Sequence, residues 1–244
     1  MTARGPAAHS GAAVEELGRE PLWWIAIRVL DGFVRLAVRL PISGLSNIPA
    51  SGPAIVVANH VSYLDPLVLI VLAHRRGRKM RFLGSREAFE RPVSGWWIRA
   101  GHHIPVGAGG EGTQAIRQAK AALDRGDLVM VYPEGTIPGA EPVQSAKGAA
   151  GLLALTCRVP VIPVATTGLE RGPAPWWRRR RASAVVGVPI DLRGPAPASG
   201  RRRYEAASDL LLAAIRDLVP TAEERARQGH RLRVPTAPGD SSDT

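Results

Sequence analysis

An imidazole and a carboxylate, His60 and Asp65, stand close together in the run Asn59-His60-Val61-Ser62-Tyr63-Leu64-Asp65. A neutral histidine can take a proton from a substrate hydroxyl. A carboxylate a few residues on can fold back onto the other ring nitrogen, fix the tautomer and stabilise the imidazolium. Such a pair needs no nucleophile from the protein when the substrate brings its own hydroxyl and its partner is an activated thioester. By itself, a His near an Asp is more often structural than catalytic. A second group lies at Tyr132-Pro133-Glu134-Gly135-Thr136, directly after the apolar stretch Leu128 to Val131. Glycine lets the backbone approach a ligand, and Thr136 can offer a hydroxyl and an amide to an anion. The plainer reading of this group is a turn with an exposed Glu.

The elements that must position these residues read as α/β. Ala54 to Ala58 is a short, unalternated apolar run, as expected of a strand covered on both faces. It delivers His60 to the junction of a strand and a helix, the usual place for sites on open α/β sheets. Asp65-Pro66 suits an N-cap and first helical position, with Leu67 to Ala73 continuing the helix. Further strands are expected at Arg81 to Leu83, His103 to Val106, Leu128 to Tyr132, Val161 to Val164 and Ala184 to Val188. Helices are expected at Thr113 to Asp124 and Ala146 to Thr156, and Tyr204, Ser208, Leu211, Ile215 and Leu218 mark one face of a closing helix. The alternation predicts a mainly parallel sheet covered by helices.

Before this unit, Pro21 to Leu40 forms a helix in which Arg28, Asp31, Arg35 and Arg39 make one stripe among apolar neighbours. Ten Leu, Ile, Val and Phe gain roughly 5 kcal/mol on insertion, while three mid-helix charges cost roughly 9, so spanning a bilayer is unfavourable. Lying amphipathically in the interface suits it better, with Trp23 and Trp24 at headgroup depth and Arg toward phosphates. A helix packed into the core is the alternative. Residues 1–20 and 220–244 read as disordered tails flanking one domain over 21–219, because neither carries enough large apolar residues to offset the entropy of ordering.

The composition is that of a folding chain: 244 residues, 45% hydrophobic and 22% charged. Thirty-two Lys and Arg against 21 Asp and Glu leave a formal charge of +11, which favours anionic partners, nucleic acid or lipid. Cys157 is the single cysteine, so neither an internal disulfide nor a zinc site built on several thiolates can form. Residues 1–20 do not read as a secretory signal, and a reducing, cytoplasmic setting is expected.

Taken together, these motifs resemble the lysophosphatidate acyltransferase family (1-acylglycerol-3-phosphate acyltransferases). His60 and Asp65, with Asn59 before them, match its first motif, and Tyr132 to Thr136 its third. Val159-Pro160-Val161-Ile162-Pro163-Val164-Ala165 matches the apolar fourth, preceded by the Lys-Gly stretch at Lys147. Gly44-Leu45-Ser46-Asn47-Ile48-Pro49 resembles the family's lead-in to the first strand. The resemblance covers about Trp23 to Val219. It implies an α/β fold with a membrane-dipping amino-terminal element, His60 as the base and Asp65 as its orienter. It also implies that Asn59, Glu134, Gly135 and Thr136 help bind the acceptor. The implied donor is acyl-CoA or acyl-carrier protein and the implied acceptor a lysophospholipid. No metal, no prosthetic group and no nucleic acid is implied, and the enzyme would sit peripherally on the cytoplasmic face of the membrane.

The sequence departs from the family at two phosphate-gripping cations. His103-Ile104-Pro105-Val106 runs into glycines rather than toward an Arg, and Ile137 stands where the third motif continues with Arg. Lys147 and Arg86 are the candidate replacements, with Arg81 and Arg99 behind them, each set against the plainer reading of a solvated surface charge. Two other functions compete. Gly107, Gly109 and Gly112 satisfy a dinucleotide-binding fingerprint, with Glu134 at a suitable distance, although Pro105 interrupts the strand. Arg178 to Arg181 and Arg201 to Arg203 would suit nucleic acid, but Trp176-Trp177 beside the first run suits a membrane surface equally well. No Ser stands in a G-x-S-x-G elbow, which sets serine-hydrolase chemistry aside.

Overall fold

A computed structural model describes residues 10–62, 64–90, 95, 98–106, 111–134, 148–170, 180–192 and 200–228. In chain order its elements are α1 (Ser10–Ala37), β1 (Val38–Arg39), β2 (Ile42–Ser43), β3 (Ala54–Ala58), α2 (Asp65–Arg75), β4 (Met80–Ser85), α3 (Arg86–Glu90) and β5 (Ile104–Val106). Then follow α4 (Glu111–Asp124), β6 (Leu128–Val131), α5 (Ala149–Cys157), β7 (Val161–Thr167), β8 (Arg180–Arg181), β9 (Ser183–Val186) and α6 (Arg202–Gln228).

The main sheet has the order β2-β9-β7-β3-β6-β4-β5. From β7 to β5 all neighbours pair in parallel, and β9 turns antiparallel to β7. A short parallel pair, β1 with β8, stands apart. The expected α/β, mainly parallel architecture is therefore present. Pro105 sits in β5, the edge strand, where a missing backbone donor is tolerated.

Alternation along β3 divides the core in two. Ala54, Val56 and Ala58 face the layer that contains α1 and α2, while Ile55 and Val57 face Leu123, Leu153, Leu211 and Ile215 from α4, α5 and α6. All five β3 residues are buried, which is why the strand reads as an unbroken apolar run. Gly151 lets α5 pack almost backbone to backbone on α6: a Cβ there would lie 2.1 Å from the Tyr204 carbonyl oxygen.

Several expectations need correction. The domain does not stop at 219, because α6 runs to Gln228. Ala222 is buried against β9, and Ser183 Oγ donates 2.5 Å to its carbonyl. The charge of Thr221 to Gln228 disguised a good helix-forming composition, in which Arg227 pairs with Glu224 one turn away. At the other end, α1 begins at Ser10, inside the expected tail.

Asp31 does not share a solvent stripe with the arginines of α1. It is buried and accepts from Arg75 of α2 at 2.6 Å and from Arg35 at 3.1 Å. Burial pushes its carboxyl up, but the hydrogen bonds and charges of Arg75 and Arg35 outweigh this and hold it below the ordinary carboxylate value. Nor do the tryptophans face outward. Trp23 is buried edge-on against His103, and Trp24 lies against His74 of α2. Trp23, Ile27, Asp31, Val34 and Val38 form the inward face of the segment at helical spacing. Its outward face carries Ile25, Val29, Phe33 and Leu36, each 57–68% exposed, with Arg28 and Arg35 beside them. The core-packed reading therefore describes one side of this helix, and the other side is apolar and exposed.

Candidate active site

His60 lies two residues beyond the end of β3, at the carboxyl edge of the parallel strands. Carrying the register Val57↔Val131 and Ala58↔Val164 onward sets His60 level with Glu134 on one side and Thr166 on the other. Motifs far apart in the chain thus meet at one sheet edge because adjacent parallel strands all end there.

Asp65 opens α2 but does not cap it. The N-cap position is Leu64, and the carboxylate turns back over the preceding loop. Its Oδ2 accepts the amides of Val61 at 2.6 Å and Ser62 at 2.7 Å, and lies 3.1 Å from His60 Nδ1. A carboxylate acceptor selects the Nδ1–H tautomer, which leaves the Nε2 lone pair to take a proton. Asp65 is fully buried, whereas the His60 side chain retains 10% exposure. The pair is thus held from behind and open in front, the arrangement a general base requires.

Tyr132 stacks on the imidazole, with ring centroids 4.0 Å apart and planes 9° from parallel. Burial, reinforced by the negative charges of Asp65 and Glu134, pushes its phenol well above the ordinary value. Glu134 accepts the His60 backbone amide at 3.4 Å through Oε2. It therefore lies beside His60.

Asn59 has a different task from the one expected. It is buried, its Nδ2 donates to the Thr166 carbonyl at 2.8 Å, and its Oδ1 accepts the Thr166 amide at 2.8 Å. Both ends of the amide are taken up in joining β3 to β7, so Asn59 builds the site rather than binding acceptor. Thr166, which sequence reasoning missed, also places its hydroxyl 3.3 Å from Asp65 Oδ1. The one available signal was a polar residue directly after the apolar run Val161 to Ala165.

The remaining candidates divide. Gly135, Thr136, Ile137 and Lys147 lie outside the described residues, as do Gly107 to Gly110. Arg86 follows β4 at the same sheet edge and is exposed, two strands from His60 and so about 10 Å to the side. Arg81 is unsuited to gripping a ligand, and it is not a solvated charge. It is buried, paired with Asp127 at 2.6 Å and with the His102 carbonyl at 3.1 Å. Arg99 donates to the Phe89 carbonyl. The glycine-rich fingerprint does lie between a strand and a helix, but that strand, β5, is at the edge of the sheet and not at a switch point within it, where dinucleotides bind.

Residues 39–167, just over half the chain, match the family model described as Acyltransferase. A lyso-ornithine lipid O-acyltransferase of Pseudomonas aeruginosa is 29% identical over 84% of this chain and 81% of its own. A chloroplastic 1-acyl-sn-glycerol-3-phosphate acyltransferase of Arabidopsis thaliana is 29% identical over 53% of this chain and 36% of its own. The crystal structure of the 1-acyl-sn-glycerophosphate acyltransferase PlsC of Thermotoga maritima superposes with a TM-score of 0.59 at 23% identity, covering 82% of each chain. The chain spans about a third of the length of several curated relatives it matches, mycobacterial and plant proteins among them.

Proposed function

The chain belongs to the acyltransferase family, and on that premise we propose that it moves a fatty acyl group from acyl-CoA or acyl-carrier protein to the free hydroxyl of a lysophospholipid. The observation that carries this reading is the 3.1 Å contact between His60 Nδ1 and the buried Asp65 carboxylate. His60 Nε2 takes the proton of the acceptor hydroxyl as its oxygen attacks the thioester carbonyl. Asp65 offsets the imidazolium charge that develops. Collapse of the tetrahedral intermediate breaks the carbon–sulfur bond, and the imidazolium returns its proton to the leaving thiolate. The products are an ester and a free thiol, and no covalent enzyme intermediate is needed.

The first acceptor is 1-acylglycerol-3-phosphate, in phospholipid biosynthesis. The +11 charge favours an anionic lipid, and Lys147 and Arg86 are the candidate phosphate partners. A second acceptor, lyso-ornithine lipid, is favoured by two observations. The relative named for it aligns along 84% of this chain, and Ile137 removes a cation that would pair with a phosphate monoester. The enzyme works at a membrane surface, on which the exposed Ile25, Val29, Phe33 and Leu36 of α1 would lie. Among the described residues no helix is long and apolar enough to cross a membrane.

The test is labelled acyl-CoA and acyl-carrier protein offered with a panel of lysolipids to wild type, His60→Ala, Asp65→Asn and Lys147→Ala. Transfer should vanish in His60→Ala, and kcat should fall in Asp65→Asn. For a phosphate acceptor, Lys147→Ala should raise KM several-fold while sparing zwitterionic lysolipids. Turnover within a few-fold of wild type for a folded His60→Ala would sink the reading.

A further inference from the structure

We propose that Thr166 is a positioning residue of this reaction, acting through Asp65; the inference rests on the base assigned to His60 above. Thr166 lies near the end of β7, 101 residues from Asp65, and is 1% exposed. Its main chain is clamped from both sides by the Asn59 amide, at 2.8 Å in each direction. With backbone and β-branched side chain both held, the hydroxyl has little freedom.

That hydroxyl has one proton to give and two acceptors in range, Asn59 Oδ1 at 3.4 Å and Asp65 Oδ1 at 3.3 Å. Asn59 Oδ1 already receives the Thr166 amide. Asp65 Oδ1 has no other donor among the described residues, and a carboxylate is the stronger acceptor, so the proton goes to Asp65. The consequence is geometric. The terminal torsion of an aspartate is soft and two-fold, and because rotation about Cβ–Cγ moves both oxygens together, a donor that holds Oδ1 steadies Oδ2 as well. Val61, Ser62 and His60 all approach Oδ2, on the side of the loop. Thr166 holds Oδ1 from the opposite side, on a different strand. The hydroxyl therefore adds an anchor on β7 to those of the loop and stiffens the plane in which Oδ2 meets His60 Nδ1, and with it the direction of Nε2 toward substrate.

Thr166→Val keeps the shape and branching and deletes only the donor, while Thr166→Ser restores the donor on a smaller side chain. Steady-state kinetics and ¹⁵N NMR of the imidazoles read the outcome, the His60 resonances being assigned by their loss in His60→Ala. In Thr166→Val, kcat should fall on the order of ten-fold, the loss of a hydrogen bond to a charged group, with KM for both substrates within about twofold. The fraction of His60 in the Nδ1–H tautomer should fall with it, and Thr166→Ser should restore both. If circular dichroism shows Thr166→Val misfolded, Thr166→Ala is put through the same measurements. Unchanged kcat, a fall in kcat without a change in the tautomer, or failure of serine to rescue would each overturn the proposal. Wild-type turnover in His60→Ala is a separate outcome: it removes the base itself, and the role of Thr166 with it.

Discussion

His60 lies flat on Tyr132, ring over ring at 4.0 Å, while its edge is held by Asp65 at 3.1 Å. These two constraints act at right angles, one on the tilt of the imidazole and the other on its rotation. The phenol hydroxyl of Tyr132 is buried and without a hydrogen-bond partner among the described residues. The ring, not the hydroxyl, is therefore the working part. Tyr132→Phe should keep kcat within about twofold and should not lower Tm, since it removes an unsatisfied polar atom. Tyr132→Leu should lose the aromatic contact, worth about 0.5–1.5 kcal/mol, and kcat should drop about two- to tenfold. An inactive but folded Phe variant would assign the role to the hydroxyl instead.

The two faces of α1 should separate membrane binding from folding. Replacing Ile25, Val29, Phe33 and Leu36 together by Gln changes only exposed positions and keeps helix propensity. Binding to anionic phospholipid vesicles should weaken at least about tenfold with little change in Tm, because each apolar side chain buried in lipid is worth about 1.5–3 kcal/mol. Ile27→Ala on the buried face should do the reverse, costing about 2–5 kcal/mol of stability while the folded fraction still binds vesicles. Unchanged sedimentation of the quadruple variant would show that this face does not meet the membrane.

His103 should make stability fall in mild acid. It is buried between Phe82 and Trp23, and its Nδ1 accepts the Phe82 amide at 3.1 Å, which requires that nitrogen to be unprotonated. Burial, then the charges of Arg81, His102 and Lys79, holds its pKa well below the ordinary histidine value. With the folded value depressed, the unfolded chain binds the proton first. The stabilisation is therefore complete above about pH 6.5 and is lost as pH falls from there toward the folded value, by up to about 1.4 kcal/mol per pH unit. Denaturant unfolding from pH 7.5 to 5 should show this slope in wild type and a shallower one in His103→Asn, whose amide can still accept from Phe82. Equal slopes in the two proteins would rule it out.

The sequence by itself located β3, β4, β5, β6, β7 and β9, though not the two-residue β1, β2 and β8, and it located the helix after His60 and the closeness of His60 to Asp65. Those are local matters: an apolar run buried on both faces, a Pro at a helix start, and two residues one loop apart can be read without knowing what lies beside them. It also put the glycine-rich segment after a strand, but only the sheet order revealed that strand as the edge.

What the tertiary structure decided concerns partners distant in the chain. Thr166 comes to Asp65, Asn59 to Thr166 and Arg75 to Asp31 only because β3, β7 and β6 end together and α1 lies across α2. Helical periodicity could place charges on a stripe of α1. It could not say that Asp31 belongs on the inner side, since that depended on an arginine 44 residues later. The outward Ile25, Val29, Phe33 and Leu36 and the inward Trp23 have similar hydrophobicity, so composition could not sort them. Rotation of the helix against its neighbour, set by that buried ion pair and by side-chain packing, chose which apolar face the core would cover.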